Sequence, residues 1–177
     1  MEANVEASKG VNMKTLWIMC GVPGSGKSWF AKHTLINNDS WKYVSRDDIR
    51  FSIVREDEDY FSHENEVFWE FTKEIISGLL YQNYTNVVAD ATHLNWSSRR
   101  KLLRAIEREV YLPGINIIVV VMQTPLALAR KRNNYRRGGR ACVPENVIRK
   151  MYRDFTDPNE DHFHYTAIMR VDSEGDI

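Results

Sequence analysis

The sequence predicts an α/β fold: a doubly wound, five-stranded parallel sheet with helices on both faces and a basic lid. Three observations carry this. Short apolar runs of strand length alternate with segments of helical periodicity, the order that builds a parallel sheet. A glycine-rich run, Gly21-Val22-Pro23-Gly24-Ser25-Gly26-Lys27-Ser28, sits between the first strand and the first helix. Polar clusters then recur just past the predicted strands, where such sheets bind their ligands.

The elements follow in order. Thr15 to Cys20 is an apolar strand, and Trp29 to Ile36 reads as the helix after the glycine-rich run. Trp41 to Ser45 is a short second strand, running into Arg46-Asp47-Asp48-Ile49-Arg50. Val67, Phe68, Phe71, Ile75 and Leu79 recur at helical spacing and predict an amphipathic helix over roughly 62–82. The stripe Phe68, Trp69, Phe71 belongs to its core face. Asn86 to Ala89 is the third strand, ending at Asp90, and Asn95 caps a helix over roughly 96–109. Pro113-Gly114 breaks the chain before Ile115 to Met122, a β-branched run typical of a strand buried on both faces. Pro125 opens a helix that runs into a basic segment, and Pro144 opens another, to about Phe155. Tyr165 to Val171 is the last strand.

The bulk numbers narrow the class. A chain of 177 residues with 43% apolar content suits one domain, expected over 14–177 behind a disordered leader at 1–13. Formal charge is zero, so any polyanion site must come from local clustering. Cys20 and Cys142 form no metal or redox motif, which points to reduced thiols in an intracellular, cytoplasmic protein. No stretch approaches the length of a membrane span, and no membrane partner is expected.

The run from Gly21 to Ser28 fits G-x-x-x-x-G-K-[ST], the phosphate-cradling P-loop. Gly21, Gly24 and Gly26, with Ser25, let successive backbone N–H groups turn toward one anion. Trp29 opens the helix whose N-terminus faces the phosphates. Lys27 would bring a positive charge to the β- and γ-phosphates, and the Ser28 hydroxyl would ligate Mg²⁺. The pattern implies binding of a nucleoside triphosphate.

The other clusters meet the needs of phosphoryl transfer, an aligned hydroxyl relieved of its proton and cations around the migrating group. A carboxylate at the tip of the second strand suits the proton acceptor, Asp47 in the first place and Asp48 as its rival. Arg50, three residues on, is near enough to hold the acceptor or the Asp47 carboxylate. Asp90 is either a metal-side acid or a turn former. The segment from Arg130 to Arg140 holds six basic residues and the pair Gly138-Gly139, which makes a mobile lid able to supply an arginine in cis. His93 reads as a hydrogen-bonding residue rather than a site.

Taken together, the P-loop, Ser45-Arg46-Asp47-Asp48-Ile49-Arg50, Thr92-His93-Leu94-Asn95 with Arg99-Arg100, and Arg132-Asn133-Asn134-Tyr135-Arg136 followed by Val143-Pro144 and Met151-Tyr152 resemble the kinase domain of bacteriophage polynucleotide 5′-kinase and related small P-loop kinases. The resemblance covers most of residues 14–155. It implies a nucleoside-monophosphate-kinase-like fold, ATP and Mg²⁺ as cofactors, and an intracellular, possibly phage-encoded enzyme acting on the 5′-hydroxyl end of DNA or RNA. By position, Lys27 and Ser28 would serve the ATP phosphates and the metal, with Arg132 and Arg136 on the nucleotide. Asp47 would be the general base, and Arg50, with Thr92 and Arg137, would bind the acceptor. Arg136 or its neighbour Arg137 would stabilise the phosphoryl group in flight.

The phage member has an acid directly before the threonine matching Thr92, where this chain has Ala91 and carries its acid at Asp90. No Asp-x-Asp-x-Thr segment is present, so 3′-phosphatase activity is not expected. Two other functions compete with the nucleic-acid kinase. One keeps the chemistry but moves the phosphoryl group to a nucleoside, sugar, antibiotic or tRNA-linked hydroxyl. The other is a nucleotide-dependent switch, disfavoured by the lack of an Asn-Lys-x-Asp guanine-reading element.

Overall fold

A computed structural model of the chain describes residues 13–81, 83–136 and 142–173. Its strands are β1 (Thr15–Cys20), β2 (Trp41–Ser45), β3 (Asn86–Asp90), β4 (Asn116–Gln123) and β5 (Ala167–Asp172). Its helices are α1 (Lys27–Phe30, continued by a π-helical turn over Ala31–Leu35), α2 (Arg46–Ile53), α3 (Glu64–Leu80), α4 (Trp96–Ile106), α5 (Leu126–Asn134) and α6 (Glu145–Arg153). The strands form one sheet in the order β2-β3-β1-β4-β5, and every neighbouring pair is parallel.

The central strands are apolar on both faces because both faces are covered. Leu16, Ile18 and Cys20 of β1 point toward α3 and α4 and meet Phe71, Ile75, Leu102 and Ile106. Met19 points the other way, onto Ala31 and Leu35 behind α1. A third cluster, Val22, Leu94, Ala129, Val143 and Ile148, lies where α5 and α6 meet the P-loop, and seats these helices over the carboxyl ends of the strands.

Two local features differ from expectation. The polar cluster after β2 is itself a helix, α2, because Ser45 caps it by accepting the Asp48 N–H at 3.1 Å. Asp47 and Asp48 then fall in its first turn, where carboxylates suit the helix dipole. Trp69 is 44% exposed and not core, since one residue after Phe68 the helical rotation carries it to the outer face, under the Arg108 guanidinium. The expected leader at 1–13 lies outside the described residues except for Met13.

A buried arginine joins the sheet to the C-terminal segment. Arg99 of α4 reaches Asp161 with Nε–Oδ2 at 2.6 Å and Nη2–Oδ1 at 2.7 Å, and both side chains are fully buried. Its remaining N–H groups donate to the carbonyls of His93, at 2.9 Å, and Thr156, at 3.0 Å. Capped N-terminally by Asn95 and Ser98, α4 fixes where that guanidinium stands. Removing one partner strands the other charge, so Arg99→Met should lower unfolding free energy by about 3–5 kcal/mol. Arg99→Met with Asp161→Leu should regain more than half of that loss in urea unfolding. A double variant as unstable as the single one would defeat the pairing account.

Candidate active site

The P-loop joins β1 to α1 with Gly24 and Gly26 in left-handed conformations, φ 80° and 90°, which side chains disfavour. Close approach adds a second reason at Gly24, where a Cβ would lie 2.2 Å from the Ala129 carbonyl oxygen. The loop is braced from both sides. Gly21 donates its N–H to the Thr92 carbonyl at 3.0 Å, and the Thr124 hydroxyl donates to the Ser25 carbonyl at 2.9 Å. The N–H of Gly21 is therefore taken by the β3–α4 loop. Ser25 is fully buried behind the turn, its N–H bonded to the Val22 carbonyl.

A cavity of about 250 Å³ opens in front of the loop. Its wall includes Gly24, Gly26, Lys27, Ser28 and Trp29 from the P-loop and α1, Arg46, Asp47 and Arg50 from α2, Asp90 at the end of β3 and Thr92 beyond it. Arg136, just past α5, completes it. Asp48, the rival to Asp47, does not line it. Arg137 lies outside the described residues. Arg132 stands on another side of the P-loop: its Nη1 donates to Ser173 at 2.7 Å and lies 3.7 Å from where a Gly26 Cβ would be. A larger cavity, about 470 Å³, lies behind the P-loop among Leu94, Val121, Tyr152 and Phe155. Size does not decide here, because the residues suited to phosphoryl transfer gather in the smaller one.

Lys27 folds back onto its own loop, donating to the Val22 carbonyl at 2.9 Å. Burial pulls its pKa down, and Asp90 and Asp47 push it back up. Ser28 and Tyr43 both donate to Asp90 Oδ2, each at 2.5 Å. Asp90 is thus aimed at the P-loop serine rather than at a turn. Burial first, then the Asp90 charge, drives the Tyr43 phenol well above its usual range, so it stays a donor. Ser28 and Asp90 together offer the hard oxygen donors that Mg²⁺ takes, so the residues fit that ion.

On the opposite side of Asp47, Tyr60 donates its hydroxyl to Asp47 Oδ1 at 2.7 Å. Its carbonyl accepts from Arg50 Nη1 at 2.9 Å, and its ring lies 4.4 Å from the Arg50 guanidinium carbon. Glu64 bridges Arg50 and Arg46, with the Arg46 contact at 2.7 Å. Tyr60, Glu64 and Tyr43 were invisible as site residues in the sequence, since they fall in no motif. Asn133 lies inside one, but the motif does not show what it does. Its side chain bonds both the N–H and the carbonyl of Val143, at 3.1 and 2.8 Å, and so clamps the two ends of the segment that carries Arg136.

Residues 16–158 match the model of the AAA domain family AAA_33. The chain belongs to this family. Among solved structures it is similar to a chain of the Pnkp1/Rnl/Hen1 RNA repair complex, at 26% identity and a TM-score of 0.66 over 86% of this chain and 46% of that one. It therefore spans less than half of that relative. A fungal RNA kinase (12% identity, TM-score 0.61, 93% of this chain, 76% of the other) and a gluconokinase from Sinorhizobium meliloti 1021 (17%, 0.55, 93% and 85%) share its fold. The AAA_33 chain thus carries a small P-loop kinase fold, as its motifs imply. Among the described residues no helix is long and apolar enough to cross a membrane.

His93 follows Thr92 in the chain and does not line the cavity. It adopts φ 39°, is buried, and pairs Nδ1 with the Met19 carbonyl at 2.9 Å. Burial is the main cause that pulls its pKa from 6.5 down to about 4. The unfolded chain then binds a proton that the folded chain refuses between those values, so stability falls as pH drops from 6.5 toward 4, by on the order of 3 kcal/mol at most. His93→Asn keeps a donor and tolerates positive φ. Its unfolding free energy should lose this pH dependence, so the wild-type advantage shrinks on acidification. Parallel curves for the two proteins would show that His93 does not titrate this way.

Proposed function

We propose that this protein is an ATP-dependent kinase that transfers the γ-phosphoryl group to the 5′-hydroxyl of a nucleic-acid end. One observation carries the reading: Lys27 of α1, Asp47 and Arg50 of α2, and Arg136 beyond α5 line a single cavity. The likeness to a chain of an RNA repair complex supports a polynucleotide acceptor over a sugar.

The roles follow from chemistry. Lys27 leaves the Val22 carbonyl and pairs with the β- and γ-phosphates. Ser28 and Asp90 would hold Mg²⁺, which supplies charge neutralisation on the phosphate oxygens. Tyr60 occupies Asp47 Oδ1, which leaves Oδ2 to accept the proton of the 5′-hydroxyl. As that O–H bond breaks, the oxygen bonds to the γ-phosphorus, and the bond to the β-phosphate bridging oxygen breaks to release ADP. Arg136 faces the migrating group and offsets its charge. Arg50 holds the phosphate on the 3′ side of the acceptor nucleotide, with Thr92 on the same wall, while Arg132 stands on the nucleotide side.

With ATP labelled at the γ position, a 5′-hydroxyl oligonucleotide and a 3′-nucleotide should take label, and a nucleoside or gluconate should not. Label on gluconate or the nucleoside alone would defeat the nucleic-acid reading. Asp47→Asn should lower kcat by about 10²–10⁴-fold, with the KM for ATP little changed. Loss of ATP binding instead would make Asp47 a metal-side residue. Arg50→Ala should raise the acceptor KM far more than that of ATP; equal increases would remove Arg50 from the acceptor subsite.

A further inference from the structure

The phosphoryl-transfer chemistry leaves two large rings in the cavity without a use. Trp29 and Phe61 are 49% and 45% exposed, yet both line the space that Asp47 faces. Scattered exposed hydrophobics are ordinary, but two at one polar site need an occupant. Both rings are held in place. Trp29 stacks on His33, with ring centroids 4.9 Å apart and planes 16° apart, and His33 Nδ1 lies 2.9 Å from the Trp29 carbonyl oxygen. Phe61 stands edge-on to Tyr60, with centroids 5.0 Å apart at 86°, and its N–H donates to Asp59 at 2.8 Å. The Tyr60 that supports Phe61 is the same residue that carries Arg50 and touches Asp47.

The charges beside these rings narrow the ligand. Arg46 and Arg50 share the single carboxylate of Glu64, a surplus of one positive charge. The Nε atoms of both are buried and have no acceptor among the described residues. Arg50 as a whole is only 5% exposed. A fitting ligand brings a hydroxyl to Asp47, an anion to the arginines and a flat apolar ring to the two aromatic faces. A sugar acid supplies the first two and not the third. A nucleotide supplies all three.

We propose that Trp29 and Phe61 form a stacking subsite for the base of the acceptor nucleotide whose 5′-hydroxyl is phosphorylated. This inference rests on the kinase reading and names the feature of the acceptor that the site reads. ATP also brings a base, and Trp29 directly follows Ser28, within reach of it. Phe61 decides for the acceptor, because it lies in the chain between Tyr60 and Glu64, the partners of Arg50. Stacking reads a ring face and not an edge pattern, so the subsite accepts any base.

The test compares 5′-hydroxyl oligonucleotides whose terminal nucleoside is normal or abasic. Stacking of one base on aromatic side chains is worth about 5- to 150-fold in affinity, so the wild-type KM should rise at least fivefold for the abasic end. Phe61→Ala and Trp29→Ala should each raise the KM for the normal end by about tenfold and leave the KM for ATP within about twofold. Both increases should disappear on the abasic end. Since both side chains are exposed, the variants should unfold at the wild-type denaturant midpoint, which separates lost stacking from lost folding. Equal wild-type KM values for the two ends, or variants that raise the KM for ATP in place of the acceptor's, overturn the stacking subsite alone. A wild-type protein that labels no oligonucleotide of either kind overturns the kinase reading and this inference with it.

Discussion

The guanidinium of Arg99 stands where three parts of the chain must agree. It binds Asp161 and Thr156 of the C-terminal segment and the carbonyl of His93 in the β3–α4 loop. The Cys20 thiol, at the end of β1, donates to that same carbonyl at 3.2 Å, and burial pushes the thiol up to about 11. One residue earlier in the loop, the Thr92 carbonyl receives the Gly21 N–H that opens the P-loop. The position of the phosphate cradle relative to β3 thus traces back to one buried ion pair. A charge fully out of water tolerates little displacement from its partner, so this arrangement trades stability for a fixed geometry. An apolar pair in its place would fill the space without fixing where the loop stands.

Much of this was written plainly in the residues. β1 and β3 fall where their apolar runs end, because a strand covered on both faces has few polar positions to blur its limits, and β2, at the edge of the sheet, ends where the polar cluster from Arg46 begins. The P-loop and Asp47 were legible because glycine spacing and a carboxylate at a strand tip are local features. Tyr60, Glu64 and Tyr43 were not. Each acts through a partner from 13 to 47 residues away, and nothing near it in sequence marks the contact. The helix α2 was missed because its apolar positions are few and its start depends on one serine hydroxyl. Trp69 misled in the opposite sense: aromatic neighbours in sequence look alike until the helical rotation separates their faces.

The zero net charge of the chain and the anionic ligands proposed for its site are reconciled by placement. Lys27, Arg46, Arg50 and Arg136 converge on a cavity where Asp47, Asp90 and Glu64 are the facing carboxylates. Each acid has a defined neighbour. Asp90 is tied to Ser28 and Tyr43, Glu64 to two arginines, and Asp47 to Tyr60 by one oxygen only. Asp47 is also the exposed one of the three. The general base of the proposed reaction needs an oxygen not already engaged, and among these acids Asp47 alone reaches the cavity with one hydrogen bond and no ion pair.

Glu64 raises the question of why the proposed acceptor site, meant for an anion, should contain an acid. Two guanidinium groups on one face of α2, four residues apart, repel each other, and burial of Arg50 strengthens that repulsion. Burial and the neighbouring Arg50 lower the Arg46 pKa, and Glu64 opposes both. With the carboxylate between them, the pair keeps its charge and its spacing before any ligand arrives, and an incoming phosphate meets donors already aligned. The same contact fixes Arg50 against the Tyr60 ring and, through Tyr60, fixes Phe61. Preorganisation of this kind moves the ordering cost from binding to folding, and in the proposed kinase it would tie acceptor recognition to a single acid at the start of α3.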